Sequence, residues 1–167
     1  MMMIDHIIEE LNRSRRSYEK ARADLPSVPG LYALFLSASG SLPPFGGRMD
    51  LVYIGKSESS LQTRDIRQHF ETGKTGHSTV RRSIGAILRC DMGFQALPRK
   101  ANPTGRDLYC YQFRQEDEES LSAWMRRSLD VGFAALHMTK DEIRQIERLV
   151  LAVANPPLNI DGTSARR

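Results

Sequence analysis

Apolar residues at Ile4, Ile7, Ile8 and Leu11 fall at the i, i+3, i+4, i+7 spacing of one helix face. With Arg13, Arg15, Arg16, Glu19 and Lys20 following, the pattern predicts a helix over 3–22. Leu25-Pro26-Ser27-Val28-Pro29-Gly30 stops it, because two prolines remove backbone donors and disfavour helix in the residues before them. The period then changes. Leu31–Leu36 and Leu51–Ile54 are short apolar runs bounded by Gly, Ser and Pro, which predicts two strands, antiparallel, joined by a long flexible connection over 37–50. Leu61, Arg64, Ile66 and Phe70 lie among polar residues up to Gly73 and predict a helix. Ser78 is placed to cap the next one, which runs to about Leu88 with Val80, Ile84, Ile87 and Leu88 as its apolar stripe. Leu108–Phe113 and Val131–Leu136 read as further strands. Between them a polar helix over 117–128 turns Leu121 and Trp124 inward. Thr139-Lys140-Asp141-Glu142 is a capping-box sequence opening a last helix. Its predicted buried face is Ile143, Ile146, Leu149, Val150 and Val153, and Asn155-Pro156-Pro157 ends it.

The chain has 167 residues, enough for one compact domain with a substantial core. Apolar residues make up 40% and charged residues 26%, and no apolar run approaches the ~20 residues a membrane-spanning helix needs. Asp5, His6, Glu9 and Glu10 interrupt the apolar residues at the N-terminus, unlike a secretory signal, so a cytoplasmic location is expected. Cys90 and Cys110 have neither zinc-site spacing nor the density of a disulfide scaffold, and are expected to be buried small hydrophobes. Net charge is +4, concentrated in the middle, where residues 56–106 carry ten basic and four acidic side chains. A basic segment of this kind binds polyanions through counterion release, although the same charges also suit a solvated face. Leu97–Arg106 reads as a basic loop.

Cleaving a phosphodiester takes a water-derived nucleophile, a group to accept its proton, cationic stabilisation of the phosphoryl charge and help for the leaving oxygen. Tyr32 and Tyr53 sit on the two predicted paired strands, where cross-strand neighbours approach within about 5 Å at Cβ. A phenol with a reference pKa of about 10 needs nearby positive charge to act as a base, and Lys56 and Arg64 are candidates for it. Arg64 shares a helix face with Arg67 and Gln68, suited to phosphate oxygens. His69 titrates near neutrality and is a candidate to protonate a leaving oxygen or orient water. Glu147 lies beside the predicted buried stripe of the last helix, where a carboxylate suits Mg²⁺. Each residue alone has a plain reading: a half-buried strand tyrosine, a solubility arginine, a surface histidine, a glutamate paired with Arg144 or Arg148.

In order, Pro29-Gly30-Leu31-Tyr32-Ala33-Leu34, then Leu51-Val52-Tyr53-Ile54-Gly55-Lys56-Ser57, Leu61-x-x-Arg64, His69, Glu147 and Pro157-Leu158-Asn159 resemble the GIY-YIG nuclease family over residues 29–160. Leu31 replaces the middle isoleucine of the first motif, and the Arg64-to-His69 interval is one residue longer than the family's common step. The resemblance implies an α+β fold with a small, central, mostly antiparallel three-stranded sheet flanked by helices. An added N-terminal helix and linker over 1–28 would precede the nuclease domain, and a tail over 161–167 would follow it. It implies Mg²⁺ or Mn²⁺ at Glu147, Tyr32 and Tyr53 around the attacking water, and Arg64 at the scissile phosphate. Either tyrosine can be the base; Tyr53 is slightly favoured, with Lys56 helping its deprotonation. Lys74, Arg81, Arg82 and Asn159 are assigned to nucleic-acid contact, Asn159 also to support of the site. The expected function is a metal-dependent DNA endonuclease with no membrane association, a partner protein or homodimer being left open. The alternatives are an inactive nucleic-acid-binding module on the same scaffold and an adaptor that uses the N-terminal helix.

Overall fold

The computed structural model describes residues 2–62, 64–105 and 110–159, with Arg64 and Asp65 described by backbone alone. The chain divides into two compact units, one formed by Met1–Ile66 with Arg127–Arg167 and the other by Arg67–Arg126.

In the first unit, helix α1 (Met2–Arg13) buries Ile4, Ile7 and Leu11. It stops there, and the single helix predicted over 3–22 is broken. The Ser14 hydroxyl lies 2.8 Å from the Glu10 carbonyl and 2.7 Å from that of Phe133, and accepts from the Phe133 N–H at 2.8 Å. A side chain that bonds backbone groups in this way competes with helix continuation. Arg16–Ser17 then forms strand β1 against β6 (Leu129–Ala135), and α2 covers Tyr18–Asp24. Periodicity within 3–22 carried no trace of this long-range pairing. Strands β2 (Gly30–Leu36) and β3 (Leu51–Ser57) complete an antiparallel sheet in the order β1-β6-β2-β3. It has four strands rather than the three expected, the addition being the two-residue β1. The 37–50 connection is tied down rather than loose, with Leu36 N–H donating to Asp50 and Met49 N–H donating to Leu36.

Ile4, Ile7 and Leu11 share a core with Leu31, Ala33, Phe35, Ile54 and the buried residues of helix α6 (Lys140–Ala154), so α1 belongs to the same packed unit as the sheet. The capping box of α6 is present: the Thr139 hydroxyl accepts from Glu142 N–H while the Glu142 carboxylate accepts from Thr139 N–H. Leu149 and Val153 are exposed, at 53% and 62%, against expectation, and Leu151 is buried instead. At about 100° per residue, Leu149 lies about 120° from Ile143 around the helix, whereas Val150 lies within about 20° of it. By the same count Glu147 is about 40° from Ile143, inside the buried arc.

In the second unit, α3 (Arg64–Phe70) leads to a 3₁₀ turn at Thr75–His77 and then to α4 (Thr79–Met92). Ser78 caps α4 by accepting from Arg81 N–H, and Gly93 ends it in the left-handed region at φ 70°. The strand expected over 108–113 begins outside the described residues. What is described is β5 (Gln112–Phe113), paired with β4 (Ala96–Leu97) in a separate ribbon. Helix α5 (Gln115–Ser128) follows, with Leu121 and Trp124 buried as expected. Cys90 is exposed and Cys110 half-buried, so neither is the core residue expected.

Candidate active site

The register pairs Tyr32 with Gly55 and Leu34 with Tyr53, placing the two tyrosines diagonally on one face of the sheet. Their rings stand 6.3 Å apart, tilted by 45°. Tyr32 is buried and Tyr53 half-buried. Both motif glycines have steric reasons. A Cβ on Gly55 would overlap the Tyr32 ring and hydroxyl, with Cε1 at 2.9 Å, so the absent side chain is the space in which Tyr32 lies. A Cβ on Gly30 would overlap the Ala134 carbonyl of β6 and meet Leu61 Cδ1 at 2.9 Å.

Side chains alternate along a strand, so Ile54 and Lys56 project to the opposite face, against α6. There Lys56 Nζ donates to Glu147 Oε2 at 2.5 Å across 91 residues of sequence, with the two side chains 30% and 14% exposed. Arg144, one turn before Glu147, instead makes a two-pronged contact with Glu58 at 2.7 and 2.9 Å, clipping the segment after β3 to the start of α6. The Arg144 guanidinium holds the Glu58 carboxyl below the usual carboxylate range, chiefly by hydrogen bonding. The plain reading of Glu147, set beside the metal role, paired it with Arg144 or Arg148; its partner is Lys56, 91 residues away in sequence. The free edge of β3 is also occupied. Leu158 N–H donates to Val52, and Asn159 accepts from Ile54 N–H at 2.8 Å and donates to Ile54 carbonyl at 2.7 Å. Its amide imitates one residue of a neighbouring strand. Asn159 therefore fixes the motif strand, and its side chain is spent on that rather than presented to nucleic acid.

His69, Lys74, Arg81 and Arg82 belong to the second unit. His69 is 8% exposed, with Nδ1 2.8 Å from Ser78 Oγ. Burial, with the Arg81 charge adding to it, lowers its pKa to about 4. Near pH 7 it is not the imidazolium that protonating a leaving oxygen calls for. Arg81 is wholly buried, paired with Glu118 at 2.7 Å and donating to the His69 carbonyl at 3.0 Å and Ser122 at 3.1 Å. Burial lowers its pKa and the attraction of Glu118 opposes that. This guanidinium cross-links α4 with α5, the end of α3 and the Thr75–His77 turn, and in this structure it is out of reach of a phosphate backbone. Its neighbours in sequence differ: Arg82 and Lys74 are half-exposed. Arg64 begins α3, and its side chain lies outside the described atoms.

A family model for the GIY-YIG catalytic domain matches residues 41–166. The chain belongs to the GIY-YIG family. Searches of curated proteins and of solved structures returned no match. Membership supports a nuclease-type function in general and points to nucleic acid as the class of substrate. The matched stretch of the GIY-YIG domain takes in Tyr53, Lys56, Arg64, His69, Glu147 and Asn159 and begins after Tyr32. Tyr32 joins them through its place over Gly55 and beside Tyr53. No helix among the described residues is long and apolar enough to cross a membrane.

The donor set can be tested against a divalent ion. No group of three or more His, Cys, Asp or Glu among the described residues is arranged to hold a metal, which leaves Glu147 as a single carboxylate. Such a site does not suit zinc, which takes three or four protein ligands. It does fit Mg²⁺ or Mn²⁺, since Mg²⁺ keeps several waters and binds proteins through one or two carboxylates.

Proposed function

We propose that this GIY-YIG domain is a DNA endonuclease that hydrolyses phosphodiester bonds with one Mg²⁺ or Mn²⁺. The observation that carries the reading is the Lys56–Glu147 contact, which joins a nearly buried carboxylate of α6 to the strand that also bears Tyr53. Glu147 would hold the ion, which when bound polarises a phosphate oxygen and lowers the pKa of water. Lys56 steadies the carboxylate and keeps its charge compensated before an ion arrives. The two tyrosine phenols, fixed by Gly55 and by each other, orient the attacking water, and one of them takes its proton. Tyr53, the more exposed, is the better placed of the two to meet solvent and substrate. Arg64 is assigned the charge on the scissile phosphate, a role for which the fixed fork of guanidinium donors is suited.

The test is a cleavage panel of single-stranded, duplex, flap and branched DNA with Mg²⁺ and with Mn²⁺. The wild-type chain should cut at least one of these only when the ion is present. Glu147→Ala should bind the same DNA and not cut it, and equal cleavage by that variant would remove Glu147 from the metal role. Tyr53→Phe should slow single-turnover cleavage more than it weakens binding; unchanged chemistry would reassign the base to Tyr32. Salt-sensitive binding with no cleavage under any condition would leave an inactive binding module on the same scaffold.

A further inference from the structure

Within the second unit, two guanidinium groups converge on one backbone oxygen. Arg82 Nη1 and Arg99 Nη1 each donate to the Gly76 carbonyl at 3.1 Å, so the two nitrogens are separated by no more than about twice that distance. Arg82 reaches it from the first turn of α4 and Arg99 from the basic loop after β4. Arg82 Nη2 also donates to Thr79 Oγ1 at 3.2 Å, and Arg99 Nη2 lies 3.2 Å from His77 Nε2. A Cβ on Gly76 would fall 2.6 Å from Arg99 Cδ and 2.8 Å from its Nε, so the long side chain lies flat across the bare backbone of the turn. Among the described residues neither arginine has a carboxylate partner. Arg81, the next residue on α4, shows the contrasting arrangement of a buried guanidinium neutralised by Glu118. Two like charges brought together on a neutral oxygen repel each other. Each guanidinium has five donors, more than these contacts use. An anion with several acceptor oxygens relieves the repulsion and takes the remaining donors.

We propose that Arg82 and Arg99, held over the Thr75–His77 turn, form a binding site for a phosphate of the DNA backbone. The site rests on the nucleic-acid reading of the family but not on cleavage. It keeps Arg82, already assigned to nucleic-acid contact, joins to it Arg99 of the basic loop over Gly76, and leaves out the buried Arg81. A phosphate contact carries no base information, so the site serves to hold and position DNA of any sequence.

The test measures binding of the full chain to fluorescein-labelled duplex and single-stranded DNA in EDTA, by anisotropy over a series of KCl concentrations. Loss of one phosphate contact lowers the salt slope by about one and weakens binding about five- to tenfold near physiological salt. Arg99→Ala should do this, Arg99→Lys should retain most of the slope, and Arg22→Ala on α2 should leave it unchanged. Arg82→Ala should match Arg99→Ala. Because Arg82 also pins the turn, that variant counts only if its melting temperature is preserved, and Arg99→Ala stands by itself otherwise. Gly76→Ala keeps every charge but displaces Arg99, and should also lower the slope. An unchanged slope for Arg99→Ala, an equal fall for Arg22→Ala, or no DNA binding by the wild type would each overturn the proposal. Cleavage by the wild type with Mg²⁺ is scored separately, so an inactive protein that loses slope through Arg99 would sink the nuclease reading and keep this one.

Discussion

His69 offers the sharpest physical test, because its folded-state pKa of about 4 and its ordinary value of 6.5 bracket an accessible pH range. Above pH 6.5 the imidazole is neutral in both folded and unfolded chains and contributes no pH dependence. As pH falls below 6.5 the unfolded chain takes up a proton that the folded chain refuses, so stability declines until about pH 4 and this loss then stops. A depression of this size is worth about 3 kcal/mol over the whole window, and about 2 kcal/mol of it is lost by pH 5. The cause is burial first and the nearby Arg81 charge second, and the side chain is 8% exposed, so screening by solvent is slight. Substituting His69→Asn keeps a polar group facing Ser78 without a titrating ring. Urea denaturation of both proteins at pH 7.5 and at pH 5 reads the effect. Any loss from carboxylates is common to the two, so the wild type should lose about 2 kcal/mol more than the variant. An NMR titration of the His69 ring in the folded protein should show no protonation down to about pH 5. Parallel losses in the two proteins, or a ring that titrates near 6.5, would refute the burial argument and restore His69 as a candidate acid.

Three further outcomes follow from particular contacts. Gly55→Ala should push the Tyr32 ring out of its place, cutting cleavage on the order of 100-fold while leaving DNA affinity in EDTA unchanged; a fully active variant would show that the ring position is immaterial. Asn159→Ala should cost about 1–3 kcal/mol in urea denaturation, from two strand bonds left unmade, with no change in the salt slope of DNA binding; a reduced slope with full stability would return Asn159 to the nucleic-acid interface. Arg81→Ala leaves the Glu118 carboxylate buried without its cation and should cost about 3–5 kcal/mol, read by urea denaturation; a cost below about 1 kcal/mol would mean the pair is not what holds α4 to α5.

Features whose physical cause is local were readable in advance. Thr139 and Glu142 cap α6 from three residues apart and Ser78 caps α4 from the position before it, both with partners within a turn or so, although α4 runs on past the expected Leu88 to Met92. Elements set by distant partners were not readable. Nothing near Ser14 signals that its hydroxyl meets Phe133, 119 residues on, so an amphipathic pattern was extended through a break. Leu149 and Val153 fit a helical stripe as well as Val150 does, and only the direction in which α6 faces the sheet decides between them. In the candidate site, the pairing of the two tyrosine strands was expected from residue types and order, and the rings do lie 6.3 Å apart. The division of labour among the cations was not announced: Lys56 pairs with Glu147, Arg144 with Glu58 and Arg81 with Glu118, each choice fixed by packing. Charge density over 56–106 likewise does not distinguish a buried arginine at 81 from a half-exposed one at 82, since that depends on which side of α4 is covered.

The period of the strand explains why the second motif has the order Tyr53-Ile54-Gly55-Lys56. Residues 53 and 55 share one face, where the first supplies a phenol and the second leaves room for the phenol of Tyr32. Residues 54 and 56 share the other, where Ile54 joins the α6 core and Lys56 meets Glu147. A one-residue slip would send Lys56 to the tyrosine face and Tyr53 into the core, so register is as necessary to this arrangement as residue identity. β3 is the outermost strand of its sheet, and Asn159 bonds both backbone groups of Ile54 at its open side. The same geometry changes the part given to Lys56. Its ammonium is bonded to Glu147 on the far side of the strand from the Tyr53 ring, so the contact that strand geometry gives it is with the carboxylate of α6.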